Sequence, residues 1–402
     1  MAEITGPLDD LKVLDLSHIM AGPVCGLMLA DLGADVIKVE KLPGGDDSRR
    51  TTPPEIDGQS AAFLMMNRNK RGIALDLKQA AGKGVLWRLI ERADVLIENF
   101  RQGAMEKLGF GYEAVKARNP KMIYCSVSGF GRTGPYADRG GFDLVAQGMS
   151  GLMSITGEAP GRPPVKVGAP VTDITAGILA AMGVLAALFR RQQTGQGQMV
   201  DTSLFEAGIT HTYWQSAIFL ATGVSPGPMG SAHPLLAPYQ AFQTRDGWLT
   251  VGAANQANWE RLLAVLEAEA LGQDLRFVDN AARMANLPLL VEKLNQLFRC
   301  RTTADWLARL DASGVPAGPV LSIAAMQADP QTQARHMVAE TAHTTLGPVK
   351  TIGIPVKFSD TPGTLRRGAP LLGEHSREIL REHGYSDLEI EALAEQGVVL
   401  VI

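Results

Sequence analysis

Cysteine is scarce and scattered. Cys25, Cys125 and Cys300, three in 402 residues, are odd in number, far apart and set among apolar neighbours. That argues against a disulfide framework, and neither a CxxC pair nor a His/Cys cluster offers zinc a site. A reducing cytoplasm suits such usage. Runs of basic residues are also missing, and the formal net charge is only -4, which argues against a nucleic-acid surface or an anionic membrane as partner. The leading MAEITGPLDD is acidic and has no apolar stretch, so no signal or transit segment is expected there. Repeats and low-complexity tracts are lacking. HExxH, the P-loop, GxSxG and a Ser/His/Asp grouping are absent as well, leaving hydrolase and kinase readings unsupported.

What remains is a chain that is 46% hydrophobic, enough for a sizeable core in two domains, or in one large domain with an insertion. Residues 11–40 read as strand, turn, helix and strand, a βαβ unit whose ligand-binding turn is Ser17 to Pro23. That turn lacks GxGxxG, so a nicotinamide reading rests on fold analogy alone. Further α/β alternation follows: strands near 72–78, 94–100 and 122–131, with helices over 79–92, 103–108 and 111–118. This predicts an α/β fold, a Rossmann-like parallel sheet covered by helices. Gly/Pro-rich connectors at 131–141 and 156–170 lead to an Ala- and Gly-rich helix. GQMVDTSLFEAG then reads as a strand passing into one helix that runs through Trp214 to about Leu220. The expected organisation is a large domain over 1–220, a linker at 221–238, a small α+β domain over 239–325, with helices over 257–268 and 289–298, and a return to the large domain over 326–402.

The helix read from Ile174 to Phe189 is apolar on all sides and closed by Arg190 and Arg191. It falls short of the roughly 20 residues of a membrane span and belongs inside a large domain. Asp173 stands at its mouth. One reading is an N-cap; the other is chemistry, since a carboxylate attacks without a general base when the leaving group is good. A thioester qualifies, its thiolate having a conjugate-acid pKa of roughly 8.5.

Cationic and amide side chains stand at successive strand ends: Lys41, Arg71, Lys78, Asn99, Arg101, then Lys107 and Arg139. In a doubly wound sheet those ends share one edge, where they would gather around phosphates, although solvated surface charge accounts for any one of them alone.

LKVLDLSHIMAGP, LGADVIKVEKLPGGD, NRNKRGIALDLK, ADVLIENFRQGAMEKLGF, NPKMIYCSVSGFGRTGPY, the Asp173 segment, TGQGQMVDTSLFEA and PLLGEHSREIL occur in the order found in family III CoA-transferases, the group of formyl-CoA transferase and carnitine CoA-transferase. The chain resembles that family over nearly its whole length. The resemblance implies CoA transfer from an acyl-CoA to a free carboxylic acid, with a CoA thioester as substrate and no tightly bound cofactor. It makes Asp173 the nucleophile, passing through an aspartyl anhydride and an aspartyl-CoA thioester. It places CoA on Met20 and Ala21, on Lys41, on Leu75, Asp76, Leu77 and Lys78, on Asn99, Phe100 and Arg101, and on Lys107 and Arg139. It also implies an interlocked homodimer.

Met20 replaces the Gln of formyl-CoA transferases, and Lys41 and Lys107 replace Arg, keeping charge but losing the bidentate fork. PMGSAHPLLAP stands in place of a glycine-rich loop. Related racemases carry GHD where this chain has Gly141, Phe142 and Asp143, and Phe142 cannot move a proton. His18 and His233 are loop histidines with two readings, stand-ins for that proton carrier or ordinary loop packing, and the second is preferred. Asp143 is a candidate for orienting substrate. HPLLAPYQAFQTRDGWLTVGA is similar to the succinyl-CoA–glutarate subgroup, implying succinyl-CoA as donor and a small dicarboxylate as acceptor. An α-methylacyl-CoA racemase-like epimerase and a non-catalytic CoA-binding protein are the alternatives.

Overall fold

The computed structural model describes residues 6–402, so the reading of the leading segment lies, for Met1–Thr5, outside the described residues. The chain gathers into two compact units. One is built from the residues up to Leu152 with Val167–His211 and Pro330–Ile402, the other from Met153–Lys166 and Thr212–Asp329.

The first unit is organised by six strands: β1 (Lys12–Asp15), β2 (Asp35–Lys41), β3 (Lys70–Leu75), β4 (Val95–Glu98), β5 (Ile123–Ser128) and β6 (Met199–Ser203). They pair in parallel in the order 3-2-1-4-5-6, and Val399–Leu400 adds an antiparallel edge beside β3. The α/β expectation holds, with the strand order reversing between β1 and β4, the place where such sheets open a crevice at their carboxyl ends.

Because side chains alternate along a strand, neighbours feed opposite cores. Val13, Val36 and Val95 join one apolar layer, and Leu14, Ile37 and Leu96 join the other. The strands are shorter than the sequence suggested: β3 starts at Lys70 and ends at Leu75, leaving Lys78 in the following turn, and β4 stops at Glu98.

The first layer is covered by α1 (Ala21–Asp31) and the long α3 (Val171–Thr194), with α2 (Asp143–Met149) and α4 (Leu204–Thr210) beside α3. Two expectations about α3 are corrected. It does not close at Arg190 and Arg191, because Arg191 pairs with Asp94 at 2.9 Å and the helix continues to a left-handed Gly195, for a length of 24 residues. Nor is it buried on all sides: Ile178, Met182 and Phe189 are exposed within this chain. At mean hydropathy 1.9 over its apolar window it is long and apolar enough to cross a membrane, so shortness is no argument against a span. Its packing places it as a layer of the α/β unit, since Ala176, Ala180, Val184 and Ala187 sit in the core with Cys25 and Leu29 of α1.

Gly177 lets the two helices touch. A Cβ there would lie 2.6 Å from the Ala21 carbonyl oxygen and 2.7 Å from Val24 Cβ. Gly177→Ala is therefore expected to destabilise the protein by about 1–3 kcal/mol, read as a lowered thermal midpoint. An unmoved midpoint would mean that α1 and α3 part freely.

Beyond β6 the single expected helix is two, α4 and α5 (Tyr213–Thr222), broken at His211 and Thr212. The second unit holds an antiparallel sheet of Tyr239–Gln243, Trp248–Gly252 and Ala317–Pro319. The helices Gln256–Val265, Leu287–Phe298 and Thr303–Ala312 pack around Phe242, Trp259, Leu294 and Trp306. Of the cysteines, Cys25 and Cys125 are buried, whereas Cys300 is exposed rather than set in an apolar interior.

Candidate active site

The turn after β1 is anchored from below by charges that the sequence reading passed over. Lys38, in the middle of β2, and Lys70, the first residue of β3, are wholly buried, as is Asp15 at the end of β1. Lys70 Nζ donates to Asp15 Oδ2 (2.8 Å), to the Pro23 carbonyl (2.9 Å) and to Asn67 Oδ1 (2.9 Å). Lys38 pairs with Asp46 at 2.8 Å and donates to the Ser17 carbonyl. Asp46 in turn accepts the Ile19 N–H at 3.0 Å.

These bonds secure a strained stretch, because Ile19 is β-branched and left-handed at φ 68°. Burial alone would raise the Asp15 carboxyl, but Lys38 and Lys70 bring it below its ordinary value, and the same balance leaves Lys38 high and Lys70 low. Lys38 between Ile37 and Val39 in the middle of a strand, with Asp15 at the end of the strand before it, is the signal that could have revealed the cluster.

Above it, at the carboxyl ends of β1 to β4, lies a cavity of about 340 Å³. Of the residues singled out in the sequence, it gathers Lys41, Leu75, Asp76, Leu77, Lys78 and Phe100, and adds His18 and Asp46. The walls are largely aliphatic and aromatic with Lys41 and Lys78 exposed, an arrangement suited to a flat apolar ring system carrying phosphate at its edge. Lys41 is held by Asp47 at 2.8 Å.

Met20, Ala21, Asn99, Arg101, Lys107 and Arg139 do not line this cavity. Asn99 clasps the backbone of His18, accepting its N–H (2.8 Å) and donating to its carbonyl (2.7 Å). The His18 ring meets Phe100 edge-on at 5.1 Å, and burial lowers its basicity. Arg101 and Lys107 are exposed, Arg101 with its guanidinium 3.0 Å from where a Cβ on Gly140 would stand. Arg139 stacks over Tyr136 at 4.1 Å. Met20 occupies the cap position of α1, and Ala21 supplies the backbone that meets Gly177.

Asp173 is the third residue of α3, with Pro170 at the N-cap, so it is a first-turn residue and not the cap itself. Among the described residues no hydrogen bond or ion pair reaches its carboxylate. Burial, with the neighbouring Asp143 carboxylate second, pushes it up to about 7. A carboxylate with no donor and no counter-ion keeps its lone pairs for an electrophile.

Asp143, the candidate for orienting substrate, is hydrogen-bonded at the start of α3. Its Oδ1 accepts the Thr172 N–H (3.0 Å) and hydroxyl (2.8 Å), and its Oδ2 accepts Gln147 Nε2 (2.8 Å). Phe142, beside it, is 71% exposed. His233, in the second unit, stacks on Tyr239 at 5.1 Å.

The chain is similar to proteins already known. The sequence pattern of CoA-transferase family III matches residues 8–376. The succinate–glutarate CoA-transferase of Agrobacterium fabrum is 40% identical over 94% of this chain and 95% of its own length. The succinyl-CoA:mesaconate CoA-transferase of Haloarcula hispanica is 39% identical over 94% and 97%. Among solved structures, a CAIB/BAIF family protein from Brucella suis superposes with a TM-score of 0.84 at 42% identity, covering 94% of this chain and all of that one.

Proposed function

Because the chain belongs to CoA-transferase family III, we propose that it moves CoA from succinyl-CoA to a small dicarboxylic acid, with Asp173 as the nucleophile. The observation that carries this reading is a first-turn carboxylate with neither donor nor cation upon it among the described residues, raised by burial and by Asp143 to about 7. An Asp173 oxygen attacks the thioester carbonyl carbon, the C–S bond breaks, and CoA leaves as thiolate, giving an acyl aspartyl anhydride. The thiolate then attacks the Asp173 carbonyl of that anhydride and expels the donor acid as carboxylate, leaving an aspartyl-CoA thioester. The acceptor carboxylate attacks this thioester, thiolate departs again, and its attack on the acceptor's carbonyl yields the new acyl-CoA and restores Asp173. Every leaving group departs as a stable anion, so no general acid is required.

The cavity beside Lys41, Lys78 and Phe100 takes the nucleotide end of CoA, and Met20 and Ala21 at the start of α1 pass its thioester toward α3. No resident cofactor enters this scheme. The exposed Ile178, Met182 and Phe189 of α3 fit an interlocked homodimer, a large obligate interface. A cytoplasmic location matches the reduced thiols. The names of the relatives, one pairing succinate with glutarate and the other succinyl-CoA with mesaconate, support the choice of substrates. The epimerase alternative has Phe142 where a proton carrier is needed.

Purified protein mixed with succinyl-CoA and, in turn, glutarate, itaconate, malate, mesaconate and oxalate is expected to form a new CoA ester, seen by mass spectrometry, with at least one dicarboxylate. Its rate should fall about tenfold per pH unit on the acid side of the Asp173 titration, because only the carboxylate attacks. No ester with any acid, together with exchange of the α-proton of a 2-methylacyl-CoA, would replace the transferase with an epimerase.

A further inference from the structure

The N-terminus of α3 has no cap of its own: Pro170 stands at the N-cap and offers no side-chain acceptor. The missing acceptor arrives from a different helix. Asp143 Oδ1, on α2, takes both the backbone N–H of Thr172 (3.0 Å) and its hydroxyl (2.8 Å), while Gln147 one turn later donates to Oδ2 (2.8 Å). The Gln147 amide oxygen accepts the Val167 N–H at 2.8 Å, so the strand of chain entering α3 is held as well. Thr172 and Gln147 are fully buried. Asp173 is the next residue after Thr172, and the direction of its side chain follows from how that first turn is fixed.

We propose that Asp143 is a positioning residue of the transfer reaction: by holding Thr172 it sets the first turn of α3 and with it the aim of the Asp173 carboxylate, without itself touching substrate. This rests on the reading of Asp173 as nucleophile. Both Asp143 oxygens are already occupied within the unit, which separates this role from substrate orientation.

The arrangement has an electrostatic side. The titratable groups on the elements packed against α3 from this side are Asp143 on α2, His211 after α4, bonded to Thr175 at 2.8 Å, Glu206 on α4, held by Ser203 at 2.7 Å, and Asp201 on β6, which accepts the Arg132 N–H at 3.1 Å. α1 and β5 bring the buried thiols of Cys25 and Cys125, and the one carboxylate on α1, Asp31, is tied to Arg68 at its far end. Of these it is Asp143 whose charge bears on Asp173. The residue that aims the nucleophile thus also adds to the effect of burial, which is the larger cause of its raised titration.

Two variants in the full-length protein test this, Asp143→Asn, which keeps an oxygen for Thr172, and Asp143→Ala, which does not. We expect Asp143→Ala to lose about 100-fold in kcat with the acceptor KM within about threefold, and Asp143→Asn to recover to within about tenfold of the parent. In Asp143→Asn the acid limb of the rate profile should move down by about one pH unit, because a negative charge next to the nucleophile has gone. The 13C titration of the Asp173 carboxyl, assigned by its loss in Asp173→Asn, should move with it. A raised acceptor KM with kcat intact would place Asp143 against substrate and overturn the proposal, as would an unmoved 13C midpoint or full activity in Asp143→Ala. Failure of the nucleophile reading shows separately, as transfer persisting in Asp173→Ala.

Discussion

Asp173→Ala is expected to lose at least about 10⁴-fold in CoA transfer while still binding acyl-CoA, because every covalent step in the scheme passes through that carboxylate and no neighbour can replace it. Asp143, the carboxylate whose charge bears on Asp173, is itself committed to Thr172 and Gln147. Mass spectrometry of protein quenched during turnover should show a CoA adduct on the wild type and none on the variant, and full activity in the variant would remove the mechanism.

The more informative replacement is Asp173→Asn, which tests the cost of holding this group ready. A folded carboxyl titrating at about 7, against an unfolded value near 4, keeps a proton that the unfolded chain has released. Stability therefore falls as pH rises from about 4 to about 7, and the amide escapes that loss. Asp173→Asn should match the parent at about pH 4 and exceed it at about pH 8 by on the order of 1–2 kcal/mol, a figure reduced for the partial exposure of the site. A variant less stable than the parent at the higher pH would mean that the carboxylate has a partner in the fold after all.

The second large effect concerns stability alone. Asp15→Asn should cost about 3–5 kcal/mol, because it leaves Lys38 and Lys70 buried beside each other with one carboxylate fewer. Asp15 lies 2.8 Å from Lys70 and 4.0 Å from Lys38, and all three are cut off from water. Removing the excess cation together with the anion, in Asp15→Asn with Lys70→Met, should recover part of the loss, and that coupling, read from urea midpoints, separates a charge effect from mere loss of packing. A single variant unfolding at the wild-type midpoint would show that the cluster is indifferent to its central carboxylate. The same lesion should weaken acyl-CoA binding, since the cluster fixes the Ser17 to Pro23 turn beneath the cavity.

The alternation of apolar strands with helices made the α/β architecture legible, because parallel strands covered on both faces must read as short apolar runs. Asp173 stood out for a related reason, as an acid at the edge of a long Ala- and Gly-rich stretch. Much else was hidden. The extent of α3 was misjudged because Arg190 and Arg191 looked like an end, whereas arginine favours helix interiors and the real stop is the left-handed Gly195. Lys38 and Lys70 escaped notice because lysine is ordinarily a surface residue, and only the fold brings Asp15 and Asp46 to them. Asn99 read as a phosphate ligand by its place at a strand end, but its amide is engaged on the His18 backbone. Asp143 lies 30 positions before Asp173, a separation across which no local pattern can announce a shared helix terminus.

The distribution of sulfur turns the molecule into its own gauge. In the folded chain Cys300 alone presents a thiol to solvent, while Cys25 on α1 and Cys125 on β5 are sealed in the layer where Gly177 brings the helices together. A thiol-alkylating reagent thus counts one sulfur on the intact protein, and gains the other two only when that layer opens. Because both hidden thiols belong to the first unit and the exposed one to the second, the stoichiometry of labelling over time measures how often the sheet-and-helix layer breathes, independently of any assay for turnover.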